Sequence, residues 1–460
     1  MKRALLPFVA VLCGTASAQV QNTTTSYVYD TVGNLTQITD PLNRITKQDY
    51  DLLRRRIKVT DTNSGVTQYG YDGLDQLTQV TDARNLVTTY TIDGLGQLSK
   101  TISPDTGATT NTYDVAGNLK TRTDAKGQTT TYQYDVLNRP TVVSYSDGAS
   151  ASYVYDQGDY GLGRLSQVTD ISGTTSYVYD QHGRVATETR VIGGQSYSTT
   201  YRYDSAGRLA GLTYPGGRTV DYTRDAMGRI STINTTQDGV TAAVVTQTTY
   251  QPFGPVKSIT FGNGQVYTRT YDVDGRVASY TLNGQLQTVS YDAVSRITGI
   301  SDAGNAVNSR AYGYDLLDRV TSDQRSGLSL SYTYDAVGNR TQQSISGAVT
   351  NYTYAAGSNR LTQVAGTQTN AVGMDANGST TSNGTSQFNY DARGRMVSAN
   401  TAIGLVSYKI NALGQRVQKV TPTSTTVFHY DGGGKLIAET TDGATTEYIY
   451  LGDVPVAVFK

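Results

Sequence analysis

The chain is poor in the residues that usually carry enzyme chemistry. Its 460 residues include no tryptophan, one cysteine and two histidines. A zinc site needs three or four ligands, usually with His or Cys among them. A Ser-His-Asp triad needs a histidine beside its nucleophile, and no G-x-S-x-G elbow is present. We therefore predict no catalytic residue, no metal ion and no cofactor, and we expect His182 and His429 to be surface residues.

Glutamate is also scarce. Of the 38 acidic residues only Glu188, Glu439 and Glu447 are glutamates, so nearly all the negative charge is aspartate, which forms turns and is a poor helix former. The 36 tyrosines, with many threonines and valines, favour strands, and the 48 glycines favour tight turns. The composition predicts an all-β protein without long helices.

Charge and hydropathy argue against two kinds of partner. The formal net charge of +0 gives no reason to expect binding to nucleic acid. After the N-terminus, no stretch approaches the ~20 apolar residues that a transmembrane helix needs. We predict no transmembrane segment in the mature chain.

The N-terminus is typical of a secretory signal. Lys2 and Arg3 precede the apolar run ALLPFVAVLCG, and residues 16–18 supply the small side chains of a signal-peptidase site. We predict a Sec-type signal peptide over residues 1–18 and a secreted mature chain. The alternatives are an internal apolar strand and a lipid anchor on Cys13, the second disfavoured by the bulky Leu12 before it. Cys13 leaves with the signal, so the mature chain has no disulfide.

The rest of the chain repeats a tyrosine-aspartate motif, as in YDVAGNL at 113–119. The motif recurs in steps of 21 residues, marked by Asp30, Asp51, Asp72, Asp93, Asp114, Asp135 and Asp156. It continues at similar spacing to the C-terminus, with insertions between repeats and no linker. We predict one continuous repetitive body over residues 19–460.

Each repeat carries a second turn signal near its midpoint, such as TDPLN from residue 39 and TDAKG from residue 123. Two turns in about 21 residues leave two segments of strand length, so one repeat is one antiparallel hairpin. Tyrosines two apart, such as Tyr153 and Tyr155, share one face of a strand. Stacked hairpins would therefore align tyrosines in columns across the sheet.

The D-x-x-G part of the motif has a mechanical interpretation. The aspartate accepts hydrogen bonds from the turn backbone, and the glycine supplies the positive φ that closes the hairpin. Asp75, Asn138 and Asp318 replace this glycine with residues that tolerate positive φ. Arg54 and Ser295 do not fit, and there we expect a strained or altered turn.

These motifs resemble the YD repeats of the RHS family, which includes bacterial wall-associated proteins, shell subunits of Tc toxins and animal teneurins. The resemblance implies a β-cocoon, a spiralling sheet of about twenty hairpins that in bacteria often encloses a toxic domain. The segment EYIYLGDVPVAVFK, residues 447–460, resembles the beginning of the RHS-associated core. The family's DHLGS-type continuation does not follow, so no self-cleavage aspartate is assigned. The chain could be a truncated gene product, a short surface protein or one piece of an assembly.

Other chemistry for the repeated residues has less support. A glycosidase needs a singular carboxylate pair, whereas these aspartates recur in every turn. Residues 272–275 and 431–434 expose oxygen ligands for calcium without completing a known calcium motif. The arginines after the glycine, such as Arg184, Arg208 and Arg229, could bind phosphate, but we predict that they lie over the Tyr or Asp of an adjoining hairpin.

The sequence thus predicts a secreted, non-enzymatic structural shell or shell fragment, acting as the scaffold of a toxin-delivery or cell-surface contact system. Its expected partners are an encapsulated toxin or another shell subunit. The alternative is an adhesin or carbohydrate-binding protein that binds cell-surface glycans on columns of exposed tyrosines.

Overall fold

The computed structural model describes residues 23–252, 254–282 and 284–460. The predicted signal peptide and Cys13 lie outside the described residues, so the signal remains a prediction. The described chain is all-β, as predicted, with a short 3₁₀ turn at Ala306–Asn308 as its helical structure.

The strands of the first half are β1 Ser26–Tyr29, β2 Leu35–Thr39, β3 Ile45–Tyr50, β4 Arg56–Thr60, β5 Val66–Tyr71, β6 Leu77–Thr81, β7 Val87–Ile92, β8 Leu98–Ser103, β9 Gly107–Tyr113, β10 Leu119–Thr123, β11 Thr129–Tyr134, β12 Pro140–Tyr145, β13 Ser150–Tyr155, β14 Leu165–Asp170, β15 Gly173–Tyr179, β16 Val185–Ile192, β17 Gln195–Tyr203, β18 Leu209–Thr213, β19 Thr219–Arg224, β20 Ile230–Gln237, β21 Val240–Tyr250 and β22 Val256–Phe261.

The strands of the second half are β23 Val266–Tyr271, β24 Val277–Leu282, β25 Gln285–Tyr291, β26 Ile297–Asp302, β27 Arg310–Tyr314, β28 Val320–Arg325, β29 Leu328–Tyr334, β30 Arg340–Ile345, β31 Ala348–Tyr354, β32 Leu361–Ala365, β33 Thr369–Ala371, β34 Gly373–Met374, β35 Thr380–Ser382, β36 Gln387–Tyr390, β37 Met396–Thr401, β38 Gly404–Ile410, β39 Arg416–Val420, β40 Thr425–Tyr430, β41 Leu436–Thr441, β42 Ala444–Leu451 and β43 Val454–Phe459.

The strands form a meander in which strands pair antiparallel with the next, as β1 with β2 and β2 with β3, except at the step from β33 to β34. The meander is divided into a sheet of 33 strands and a sheet of 10 strands, β34–β43. The meander is open, because its two end strands do not pair with each other. Strand β1 pairs with β2, and β43 pairs with β42. The predicted hairpin repeat is therefore confirmed.

One face of the sheet carries the tyrosine pairs, and we call it the tyrosine face. Register places Tyr201 beside Leu212 and Leu212 beside Val220, two residues before Tyr222, whereas Tyr177 lies beside Glu188. The tyrosines of successive hairpins therefore share one face but are offset along their strands, so the predicted alignment of tyrosine beside tyrosine is not found. The opposite face is more polar, and apolar residues on it, such as Val178, are exposed.

Close packing is concentrated in one region, where β18–β22 meet β41–β43. Its buried cluster consists of Leu212, Tyr214, Val220, Ile233, Val244, Val245, Ile259, Ile437, Ala438, Ile449 and Leu451. We call this region the packed end. The strands β1–β11 form the open end, where Leu86 is the buried apolar residue.

Candidate functional site

The repeated motif builds one type of joint, the YD turn, which begins at the aspartate after each tyrosine. In the first of them, Asp30 Oδ1 accepts hydrogen bonds from the backbone N–H groups of Val32 at 3.0 Å and Asn34 at 2.8 Å. Gly33 donates its N–H to the Asp30 carbonyl at 3.1 Å with a φ of 90°. This is a three-residue hairpin loop closed by a residue in the left-handed region. The predicted roles of Asp and Gly are confirmed.

Repeats without glycine keep the same turn. Asp75, Asn138 and Asp318 take φ values of 62°, 60° and 63°, as predicted. Arg54 and Ser295 also take positive φ, 63° and 68°, and each donates its N–H to the turn aspartate's carbonyl at 3.0 Å. The turn is therefore strained at these two residues, and its hydrogen bonding is unaltered.

In most repeats the tyrosine just before the YD turn fastens its hairpin to the preceding one. Its hydroxyl donates to the backbone carbonyl of the first residue in the strand that follows the previous YD turn. These hydrogen bonds are 2.6–3.1 Å long and are made by Tyr71, Tyr113, Tyr134, Tyr155, Tyr179, Tyr203, Tyr250, Tyr271, Tyr291, Tyr314, Tyr334, Tyr354, Tyr390, Tyr430 and Tyr450. Arg224 stands in the tyrosine position of its repeat and donates to the Leu209 carbonyl instead. We call the hydrogen bond from the tyrosine hydroxyl to the backbone carbonyl the tyrosine fastener.

The arginine four residues after the aspartate links three parts of the joint. Arg184 Nε donates to Asp180 Oδ2 at 2.7 Å, and its guanidinium lies 4.3 Å from the ring centroid of Tyr203 in the next hairpin. The hydrogen bond from Arg184 lowers the pKa of Asp180 to about 2. Arg229 likewise covers Tyr250. Arg208 binds the Asp204 of its own turn and covers no tyrosine within the described part of the chain, because the next hairpin has Arg224 in place of tyrosine. The predicted arginine role is thus confirmed at Arg184 and Arg229.

The sheet returns beside itself about twenty-four strands later, through contacts that we call the seam. Midpoint turns of the first part of the chain contact YD turns of the second part. The turn between β10 and β11 meets the turn between β34 and β35, where Asn377 Nδ2 donates to Asp124 Oδ2 at 2.6 Å. At ~4.8 Å per strand, this circuit of the sheet is on the order of 115 Å long.

The seam is polar over much of its length. Its contacts include Arg44 with Asp318, Arg84 with Asn359, Asn359 with Asp105, Ala392 N with Asp147, and Ala412 N with Asp170. At all of these points a side chain of one turn binds the backbone or side chain of the facing turn. The aspartates of the midpoint turns therefore serve twice, as turn residues and as seam acceptors.

At the packed end the seam uses buried glutamates. Arg218 Nε donates to Glu447 Oε2 at 2.5 Å, and the Arg218 guanidinium lies 4.1 Å from the Phe459 ring centroid. Beside the packed end, Glu188 pairs at 2.6 Å with Arg190, two residues further along the same strand β16. Burying these charges is tolerated because each carboxylate has a guanidinium partner. Two of the three glutamates in the chain thus form interior ion pairs. The rarity of glutamate is the sequence feature that sets these residues apart.

The expectation of two surface histidines is wrong for His429 and holds for His182. His182 is exposed in its YD turn. His429 is 2% exposed, its Nε2 lies 2.9 Å from Thr440 Oγ1, and its ring centroid lies 4.5 Å from that of Tyr197. Burial, with a smaller contribution from Arg190, lowers the pKa of His429 to about 4. Strand β40 is covered on both faces here, which the repeat pattern does not reveal.

The residues considered for calcium are bound by their own turns. Arg276 pairs with Asp272 at 2.7 Å and with Asp274 at 3.1 Å. Asp431 Oδ1 accepts from the N–H groups of Gly433 and Lys435. Across residues 23–252, 254–282 and 284–460, no three His, Cys, Asp or Glu side chains are grouped to hold a metal ion. No helix in these ranges has the length and hydropathy needed to cross a bilayer.

Comparison with protein families agrees with this geometry. The RHS Repeat family matches residues 29–66, 55–87, 71–108, 113–150, 160–196, 188–219 and 203–240. The Teneurin YD-shell family matches residues 303–454. The chain belongs to the RHS/YD-repeat family. No curated protein matches the chain.

Solved structures of Tc toxins share the fold of this YD-repeat chain. The Photorhabdus luminescens Tc holotoxin pore with a TccC3 D651A mutation matches with a TM-score of 0.75 and 16% identity. The TcdB2-TccC3-Cdc42 complex matches with a TM-score of 0.76 and 17% identity. The alignments cover 93% of this chain but 27% and 28% of those chains. The chain therefore spans little more than a quarter of the toxin shell chains that it matches.

Proposed function

We propose that this YD-repeat chain is a secreted, non-enzymatic shell or shell segment, which serves as the scaffold of a toxin-delivery or cell-surface contact system. The structural role follows from the family and the fold. Secretion, the absence of catalysis and the partner are the parts proposed here. An enclosed toxin or a further shell subunit is the partner that the Tc toxin structures suggest.

The seam is the observation that carries the proposal. A meander of hairpins joined only in sequence would be a ribbon. Here the midpoint turns of one part dock onto the YD turns of a later part, so the sheet becomes a wall with two bounded faces. The repeated aspartates, tyrosines and arginines make the contacts that build this wall, which explains why they recur. Among the described residues, none of the repeated aspartates stands apart as a catalytic pair.

The adhesin alternative has weaker support. It requires columns of exposed tyrosines, whereas the YD tyrosines use their hydroxyls in the fasteners and are largely half-buried. Among the described residues the exposed tyrosines are Tyr27, Tyr29 and Tyr160, at 54%, 58% and 57%. They do not form a column along the sheet.

Protection of an enclosed segment tests the shell function. A flexible reporter peptide with protease sites would be fused after Lys460 and digested in the folded protein. We expect cleavage at least tenfold slower than for the same reporter on a folded protein without a shell. A control with Asp147→Ala and Asp170→Ala, which removes two seam acceptors, should restore cleavage. Equally fast cleavage in the unmodified chain and in this control would contradict the shell proposal.

Export is tested separately. The full chain would be expressed in a bacterium with a Sec pathway, and the exported protein would be sequenced from its N-terminus. We expect the mature chain to begin at Gln19. A Lys2→Glu, Arg3→Glu variant, which reverses the charge before the apolar run, should remain in the cytoplasm. A chain recovered outside the cytoplasm with Met1 intact, or only inside it, would contradict this part.

A further inference from the structure

We propose that a cavity in the seam binds a carboxylated sugar of the hexuronate class. The cavity has a volume of about 380 Å³ and lies where β9–β12 meet the YD turn Asp391–Arg395. This volume is at the lower end of the ~300–1,000 Å³ range of ligand pockets, which suits one or two sugar rings. The proposal does not depend on whether the shell holds cargo.

The three arginines that line the cavity outnumber the carboxylates available to pair with them. Arg122, Arg393 and Arg395 line the cavity. Arg393 is paired with Asp391 at 2.7 Å. Asp124, the acidic residue in the wall, already accepts from Asn377 and from the backbone of its own turn. The cavity therefore has an excess of positive charge that an anionic ligand would neutralise.

Arg395 is the arginine whose side chain lacks the carboxylate partner usual at its repeat position, which makes it available to an anionic ligand. In other YD turns the arginine four residues after the aspartate donates Nε to that aspartate's Oδ2, as in Arg55, Arg139, Arg184, Arg208, Arg229, Arg276, Arg296 and Arg319. At Asp391 this oxygen is bound by Arg393 instead. Arg395 keeps its backbone bond to Asp391 Oδ1, and its side chain donates to the Asn411 carbonyl. Its guanidinium has no carboxylate partner among the described residues, although burial and the adjacent Arg393 lower its pKa.

The remaining wall is suited to a polyhydroxyl ligand. Tyr132, Tyr145, Thr109 and Thr130 line the same cavity. Within the described part of the chain their hydroxyls have no hydrogen-bond partner in the protein, and a hydroxyl can both donate and accept. Tyrosine rings also give a sugar ring an apolar surface. A carboxylate would bind the planar guanidinium groups, and the sugar hydroxyls would bind these side chains.

Titration of the mature chain with D-glucuronate, followed calorimetrically at low ionic strength, tests the site. We expect saturable binding, with methyl glucoside and inorganic phosphate each at least tenfold weaker. Arg395→Gln should weaken glucuronate binding at least tenfold. Arg319→Gln, which changes the same repeat position away from the cavity, should leave it unchanged. Equal affinity of the Arg395→Gln variant and the unmodified chain would overturn the proposal.

Two further comparisons keep the test decisive. If Arg395→Gln does not fold, Thr109→Val combined with Thr130→Val removes two hydroxyls without a change in charge. This double variant should weaken glucuronate binding and leave phosphate binding unaltered. Phosphate binding as tight as glucuronate binding would show a general anion site and overturn the sugar assignment. Tight binding of the neutral methyl glucoside would overturn the role of the arginines.

Discussion

The open end and the packed end are built from the same repeat but differ in what covers them. The tyrosine fastener is present in both, with Tyr134 bound to the Leu119 carbonyl at 2.9 Å and Tyr450 bound to the Leu436 carbonyl at 2.7 Å. The buried clusters, in contrast, lie at the packed end and beside it, where Ile192, Val417 and Val427 pack together, and neither cluster includes a described residue of the open end. The YD turn and the tyrosine fastener therefore determine the hairpin, whereas packing against a second layer of strands determines which side chains are buried.

One repeat position shows this difference directly. The residue just before the YD tyrosine lies on the face opposite the tyrosines and is exposed in most hairpins, as Val178 is at 58%. In the last two hairpins this residue is His429 or Ile449, at 2% and 0% exposure. Their strands pack that face against the tyrosine face of the earlier strands β16–β22, as the Tyr197–His429 contact shows. The same position is thus solvated early in the chain and interior late in it.

The largest expected effect comes from removing packing at this position. Ile449→Ala should lower the free energy of unfolding by about 2–5 kcal/mol, because the side chain is fully buried. Ile102→Ala, the same substitution on a strand of the open end at a different repeat position, should cost about 1 kcal/mol or less, because Ile102 is 46% exposed. Urea unfolding of both variants measures the difference. Equal losses would show that the two ends do not differ in packing.

Acid should destabilise the fold beside the packed end, through His429 in β40. Its pKa is lowered to about 4 in the folded chain, against ~6.5 when unfolded, so the unfolded state binds the proton first as the pH falls. Stability is complete above pH ~6.5 and is lost progressively toward pH ~4, by about 2 kcal/mol between pH 7 and 5. Urea midpoints at the two pH values should converge in His429→Gln. They should stay apart in the exposed control His182→Gln. If the urea midpoint of His429→Gln depended on pH as strongly as that of the unmodified chain, the assignment would be refuted.

Removing one fastener should have a smaller effect that is the same at both ends. Tyr134→Phe and Tyr450→Phe each delete one hydroxyl bonded to a backbone carbonyl and should cost about 0.5–1.5 kcal/mol. Hydrogen exchange of the two hairpins would report the loss locally. Tyr132→Phe is a control, because its hydroxyl makes no hydrogen bond within the described residues. A large loss at one end only would mean that the joint is not a uniform device.

The smallest expected effect is a gain at the open end. Arg54 has a φ of 63°, which glycine adopts without strain, so Arg54→Gly should stabilise its turn by about 0.5 kcal/mol after the entropic cost of glycine. Asn138→Gly, at a residue that tolerates this conformation, should change stability less. Thermal melting of the two variants makes the comparison. A loss of stability in Arg54→Gly would show that the Arg54 backbone is not strained.

The local part of the site could be predicted because its contacts lie within one repeat or between neighbours. The aspartate at residue 30 and the glycine three residues later interact within one turn, and a YD tyrosine such as Tyr71 reaches only the neighbouring hairpin, so periodicity exposes their roles. Arg208 departs from the pattern only because the next repeat has Arg224, which is also readable in the sequence. The seam could not be predicted in this way, since its partners, such as Asp124 and Asn377, are separated by 253 positions.

The sequence by itself determined the all-β class, the hairpin as the unit, the turn chemistry and the shared face of the tyrosines, because these depend on propensities and contacts with a short period. The tertiary structure alone decided which hairpins face one another across the seam, that Glu188 and Glu447 form interior ion pairs, and that His429 is buried. These outcomes depend on how many strands complete one circuit of the sheet. That number follows from the accumulated twist and curvature of many hairpins, which no single repeat encodes.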